Sequence, residues 1–278
     1  MNHPLLFPLT WLTLQGLLLV LGLISVSWNL IALVLYPVLP RRTGRRIGRA
    51  AIAGGYRAFW RIAGWSGLLR MDASALDALA EERGLIVIAN HPSMLDALML
   101  VARLPRSFCL MKASLIRNPL LGPGARLARY IRNDSPLGIV RHAVAELKDG
   151  GQLVMFPEGT RTTCAPINPF RPGITLIAKL ADVPIQTAFI DTDSPYLGKG
   201  WPLWRLPPLP ITFSVRLGRR FAPMRDHEAL LAQLEAYYAA DANGANDAAD
   251  AADAADAADA ADAADAAGVR PPASLGSR

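Results

Sequence analysis

From Leu9 to Leu39 the chain carries no charged residue, and about 20 apolar residues in a helix suffice to cross a bilayer. Residues 1–40 are therefore expected to form a membrane anchor. It would be one spanning helix, or a hairpin in one leaflet with its bend at Gly16 or Gly22. A cleaved signal peptide fits less well, with no basic stretch ahead of the run and no small-x-small site closing it. Residues 41–75 change character. Arg41, Arg42, Arg45, Arg46 and Arg49 follow the apolar run, and further arginines alternate with Tyr56, Phe59, Trp60 and Trp65. Such a segment predicts a helix over residues 45–70, lying along lipid headgroups or packed on the next domain.

Residues 76–240 alternate in α/β fashion. A continuous apolar run at Leu85–Ala89 reads as a buried strand and Gln152–Phe156 as a second, with more strands at Val183–Ile190 and Ile211–Gly218. Helices are expected over Ser93–Arg103, Gly138–Lys148 and Arg225–Tyr238, and the Pro-rich stretch Ser194–Pro210 reads as a loop. The fold class is α/β, with a mostly parallel or mixed central sheet flanked by helices behind an N-terminal membrane-anchoring helix. Residues 241–278 are an acidic Ala/Asp repeat. Its period of three spirals around a helix, and a frayed helix or disorder is expected.

Composition narrows the partners. The net charge is +6, but the tail holds eight Asp and two Arg, which leaves the remainder at +12. An anionic partner follows, and beside a hydrophobic anchor this means anionic membrane lipids and no nucleic acid. The arginines after the apolar run place the domain on the cytoplasmic face of an inner (cytoplasmic) membrane by the positive-inside rule. Two cysteines, Cys109 and Cys164, lie outside any metal-ligand or redox spacing, so neither a metal site nor a disulfide scaffold is expected.

Candidate chemistry sits at two strand exits. Leu85–Ala89 runs into Asn90-His91-Pro92-Ser93-Met94-Leu95-Asp96. In one continuous helix, residues five apart diverge by about 140°. Pro92 steers His91 out of helical geometry, so His91 is expected at a strand-to-helix corner with Asp96 reaching back from the early helix. An Asp–His pair fixes the imidazole tautomer and equips a general base. The second exit is Phe156-Pro157-Glu158-Gly159-Thr160-Arg161. Here Gly159 admits a ligand close to the backbone, Thr160 offers a hydroxyl, and Arg161 a phosphate-matching fork. His142 and His227 read as surface residues. Cys164 lies near Arg161, but no base beside it is evident in the sequence.

The ordered blocks His91–Asp96, Phe156–Arg161 and Val183-Pro184-Ile185 resemble the glycerolipid acyltransferases, which include the 1-acylglycerol-3-phosphate acyltransferases. The likeness covers roughly residues 80–215. It implies an α/β acyltransferase without metal or other cofactor, in which His91 and Asp96 deprotonate an acceptor hydroxyl that attacks acyl-CoA or acyl-carrier protein. The acceptor would be a lysophospholipid, 1-acylglycerol 3-phosphate above all, in phospholipid synthesis. Glu158, Gly159 and Arg161 would bind it, with Lys112 near its phosphate. One block departs: where the family has Gly-x-x-Phe-Ile-x-Arg, its arginine on the acceptor phosphate, this chain has Leu127 for the glycine and Asn133 for the arginine, with Arg132 one position early as the substitute substrate contact. That departure admits a different hydroxyl acceptor, or a lipid-binding module without catalysis.

Overall fold

The computed structural model describes residues 7–163 and 167–241. The chain divides into two compact units, one running to Ala232 and the other from Gln233. The acidic repeat lies outside the described residues.

The first unit opens with α1 (Phe7–Val38) and α2 (Arg41–Trp65). Strand β1 (Leu69–Asp72) and a 3-10 turn (Ser74–Leu79) lead into β2 (Leu85–Ala89). Then follow α3 (Asp96–Arg103), β3 (Ser107–Met111), α4 (Ala113–Arg117), α5 (Pro123–Leu127) and β4 (Ile131–Arg132). The remainder is α6 (Pro136–Lys148), β5 (Gln152–Met155), α7 (Gly173–Ala181), β6 (Ile185–Thr192) and β7 (Ile211–Phe221). A last helix, α8 (His227–Asp241), begins in the first unit, and its Gln233–Asp241 half is the described part of the second.

Seven strands form one sheet in the order β1-β7-β6-β2-β5-β3-β4. All pairings are parallel except β6–β7. Strand β2 is buried at every position, as a central strand covered on both faces must be. Its Leu85, Val87 and Ala89 share one core with Phe59, Trp60 and Ala63 of α2 and with Met99 and Leu100 of α3, while Ile86 and Ile88 point to the other face. Because β2 and β5 are parallel neighbours, their carboxyl ends open on one edge of the sheet. That shared edge positions the site.

The expected α/β class is the observed one. Helix α1 passes through Gly16 and Gly22 without a break, so the hairpin alternative is corrected: a continuous hydrogen-bonded helix leaves no bend at either glycine. Its 32 residues extend about 48 Å. Trp11 Nε1–H donates to Trp204 O (3.0 Å) and Gln15 Nε2–H to Leu203 O (2.8 Å). Further along, Asn29 Oδ1 accepts from Gly124 N–H (2.9 Å). The helix thus lies along the body. Helix α2 buries Gly48, Arg49, Ile52, Phe59 and Trp60 and leaves Arg41, Arg42, Arg46 and Trp65 exposed. The buried Arg49 guanidinium donates to Ala128 O, Arg106 O and the Glu146 carboxylate.

Candidate active site

His91 leaves β2 at the carboxyl edge, and α3 starts only at Asp96. The helix expected from Ser93 begins three residues later because Pro92-Ser93 form the corner. His91 Nδ1 lies 2.9 Å from Asp96 Oδ2, and the same carboxylate oxygen accepts Ser93 N–H at 2.7 Å. Asp96 is wholly buried. Burial pushes its carboxyl up from the ordinary range, against the pull of the His91 hydrogen bond and the Ser93 N–H. With Nδ1–H engaged by the carboxylate, the partner assigns Nε2 the free lone pair. Phe156 stacks on the imidazole at a 3.9 Å centroid distance and 13° between planes. The ring is held in both orientation and tautomer.

Glu158 faces the same corner and is buried. Its Oε1 accepts from His91 N–H (3.2 Å) and the Thr162 hydroxyl (2.6 Å), and its Oε2 accepts Asn168 N–H (3.0 Å). Thr162 Oγ1 also accepts His91 N–H (3.1 Å), and Thr162 N–H donates to His91 O (2.8 Å). The β5 exit is thereby laced to the His91 main chain. Gly159 is in the left-handed region (φ +67°), and a Cβ there would fall 2.2 Å from Arg171 Nε. Thr160 is exposed at the turn. Arg161 Nη1–H donates to Leu197 O (2.8 Å) and Gly198 O (2.7 Å).

His91, Asp96, Glu158, Gly159, Thr160 and Arg161 are therefore brought together. The other two expected contacts, Lys112 and Arg132, start further along the sheet. Lys112, exposed at the end of β3, sits two strand spacings from β2, roughly 10 Å. Arg132, on β4, sits three spacings away, roughly 14 Å, and its Nε lies 3.5 Å from Asp134. Asn133 is occupied structurally: its Oδ1 accepts Ala113 N–H at 3.1 Å.

Sequence reasoning missed Phe156, Thr162 and Asn168 as supports of the corner, along with Tyr196–Gly198, which close over it. It also passed over Asn90, whose amide donates to Ile190 O (2.8 Å) and accepts Ile190 N–H (2.7 Å), extending the β2–β6 ladder by a side chain. A polar residue ending a wholly apolar strand was the available signal. His142 is exposed, and Cys164 lies outside the described residues.

Residues 70–191 match the family model described as Acyltransferase. A 1-acyl-sn-glycerol-3-phosphate acyltransferase of Limnanthes alba is 28% identical over 197 residues, covering 68% of this chain and 66% of the relative. Another protein so described, from Cocos nucifera, is 28% identical over 170 residues, covering 58% and 52%. The chain thus spans about two thirds or less of these relatives' length. The crystal structure of the 1-acyl-sn-glycerophosphate acyltransferase PlsC from Thermotoga maritima superposes with a TM-score of 0.60 at 19% identity, covering 81% of this chain and 95% of that one. That likeness is one of fold.

Proposed function

We propose, on the match of residues 70–191 to the Acyltransferase family model, that the chain moves a fatty acyl group from acyl-CoA or acyl-carrier protein to the free hydroxyl of a lysophospholipid, 1-acylglycerol 3-phosphate. The observation that carries this reading is the His91–Asp96 pair, 2.9 Å apart at the sheet's carboxyl edge. The acceptor O–H gives its proton to His91 Nε2 as the oxygen attacks the thioester carbonyl carbon. Asp96 stabilises the imidazolium that results. When the tetrahedral intermediate collapses, the C–S bond breaks and the imidazolium returns its proton to the departing thiolate. Ester and free thiol are the products, and no covalent enzyme intermediate is formed.

Glu158 acts in this reading by holding the His91 main chain. Arg161 Nε and Nη2, which make no hydrogen bond among the described residues, would take an anionic acceptor, with Lys112 at the end of β3 as a further cation. Asn133 supports a second acceptor class, an unphosphorylated hydroxyl lipid, since it is spent on Ala113 N–H while Arg132 faces Asp134.

Attachment to a bilayer rests on α1, where an apolar span from Pro8 to Val38 leaves most of its surface outside the protein core. Its polar ties at Trp11 and Asn29 are 18 residues apart, about 27 Å, and both reach the same body. A helix crossing the whole hydrocarbon layer, about 30 Å thick, would drag that body in with it. Embedding of the outer face in one leaflet fits these ties, with the exposed arginines of α2 on anionic headgroups.

The test is transfer from a radiolabelled acyl thioester by the purified protein. His91→Ala should abolish product with 1-acylglycerol 3-phosphate as acceptor, and a fully active variant overturns the mechanism. Monoacylglycerol run in parallel decides between the two acceptor classes.

A further inference from the structure

Residues 194–205, on the way from β6 to β7, form neither helix nor strand, yet they bridge two distant parts of the first unit. One end is fastened to the active-site corner. Besides the two Arg161 contacts, Ser93 Oγ–H donates to Tyr196 O (3.0 Å) and Met94 N–H to Leu197 O (3.1 Å). Tyr196 and Leu197 are buried. The other end is fastened to α1, because the carbonyls of Leu203 and Trp204 accept the Gln15 and Trp11 side chains. Between them the Arg205 guanidinium lies 4.8 Å over the Trp201 ring, whose Nε1–H donates to Arg205 O.

On this braced segment Leu203 is 52% and Trp204 76% exposed. Their main-chain carbonyls are held by α1, so the two side chains project outward together. Trp204 joins Pro8, Trp11 and Leu12 around an open apolar groove of about 380 Å³. The groove continues directly into the exposed leucines of α1, Leu9 and Leu12 among them. An indole beside leucines at the edge of a long apolar helix, with an arginine one residue on, matches what the polar–apolar boundary of a bilayer selects.

We propose that the Leu203–Trp204 tip is a second membrane contact, entering the interfacial layer of a phospholipid bilayer beside α1. The proposal rests on the attachment through α1 argued above and adds a site remote from it in sequence. The experiment uses the full-length protein, detergent-free, with vesicles of phosphatidylcholine and phosphatidylglycerol. Leu203→Ser combined with Trp204→Ser should weaken vesicle binding roughly tenfold or more, as expected when two large apolar side chains no longer leave water. Trp204→Phe keeps the apolar bulk, and subtracting its emission from wild type isolates the Trp204 indole. That difference signal should be quenched by phosphatidylcholine brominated near the top of its acyl chains. Unquenched difference emission, or undiminished binding by the double variant, overturns the proposal even if that variant folds. So does a concentration-dependent dimer that the double variant abolishes while vesicle binding stays intact. Wild-type protein that ignores vesicles altogether refutes attachment through α1, a separate failure.

Discussion

In the proposed mechanism Asp96 is charged to serve His91, yet it sits wholly out of water with Oδ1 lacking any hydrogen-bond partner among the described residues. Its folded carboxyl binds a proton more tightly than an unfolded one would. By linkage, such a group withdraws stability as pH rises through the carboxyl range, from about 4 upward. Neutral pH is where the fold carries that cost. In Asp96→Asn a single group takes the place of Oδ2, which serves both partners: an amide oxygen there still accepts Ser93 N–H and Nδ1–H but brings no charge to support an imidazolium. The variant should lose roughly 10²–10⁴-fold in turnover, while its melting temperature at pH 7 matches or exceeds wild type and the gap closes towards pH 4. Calorimetry at both pH values checks this; an Asn variant melting well below wild type at pH 7 would mean that the charged pair stabilises the fold. His91 and Asp96 were legible because Pro92 breaks the helix between them. The Glu158 network was not, since its partner Asn168 lies ten residues on in a loop with no periodicity to read.

At the element scale, α2 meets the end of α5 with main chain close against main chain. A Cβ on Gly48 would sit 2.6 Å from Ala128 N and 2.8 Å from Ala128 Cα, main-chain atoms that cannot swing aside. Gly48→Ala should cost about 1–3 kcal/mol, read as a melting temperature several degrees lower. Gly64, in the same helix, has nothing within 4 Å of its Cβ position, and Gly64→Ala should gain about 0.5–1 kcal/mol. Equal effects of the two substitutions in thermal melts would refute that account. The same dependence on tertiary contact explains which elements the sequence pattern revealed. Strands β2, β5 and β7 announce themselves by apolar runs or alternation. Strand β1 has four residues at the sheet edge and β4 only two, and both are defined by what they pair with. Helices α4 and α5 have five residues each, too few to show a 3.6-residue period.

At the scale of the molecule, the apolar outer face of α1 is separate from what holds the first unit together. Leu19 and Leu23 are exposed, whereas Leu14 and Leu17 pack in the core. Leu19→Ser with Leu23→Ser should leave thermal unfolding in detergent nearly unchanged and reduce co-sedimentation with vesicles. Leu14→Ser should do the reverse first, lowering the melting temperature; a melting loss of the same size from the exposed pair would contradict this division.

The partners that brace α1 are far behind it in the chain. Trp11 waits for a carbonyl 193 positions later, and β1 waits for β7 to complete its edge of the sheet. At 5–20 residues per second, the ribosome leaves the greasy helix without that brace for roughly 10–40 seconds. During that interval a holdase or the lipid itself has to shelter it, so the nascent protein's first stable encounter precedes the assembly of its own sheet.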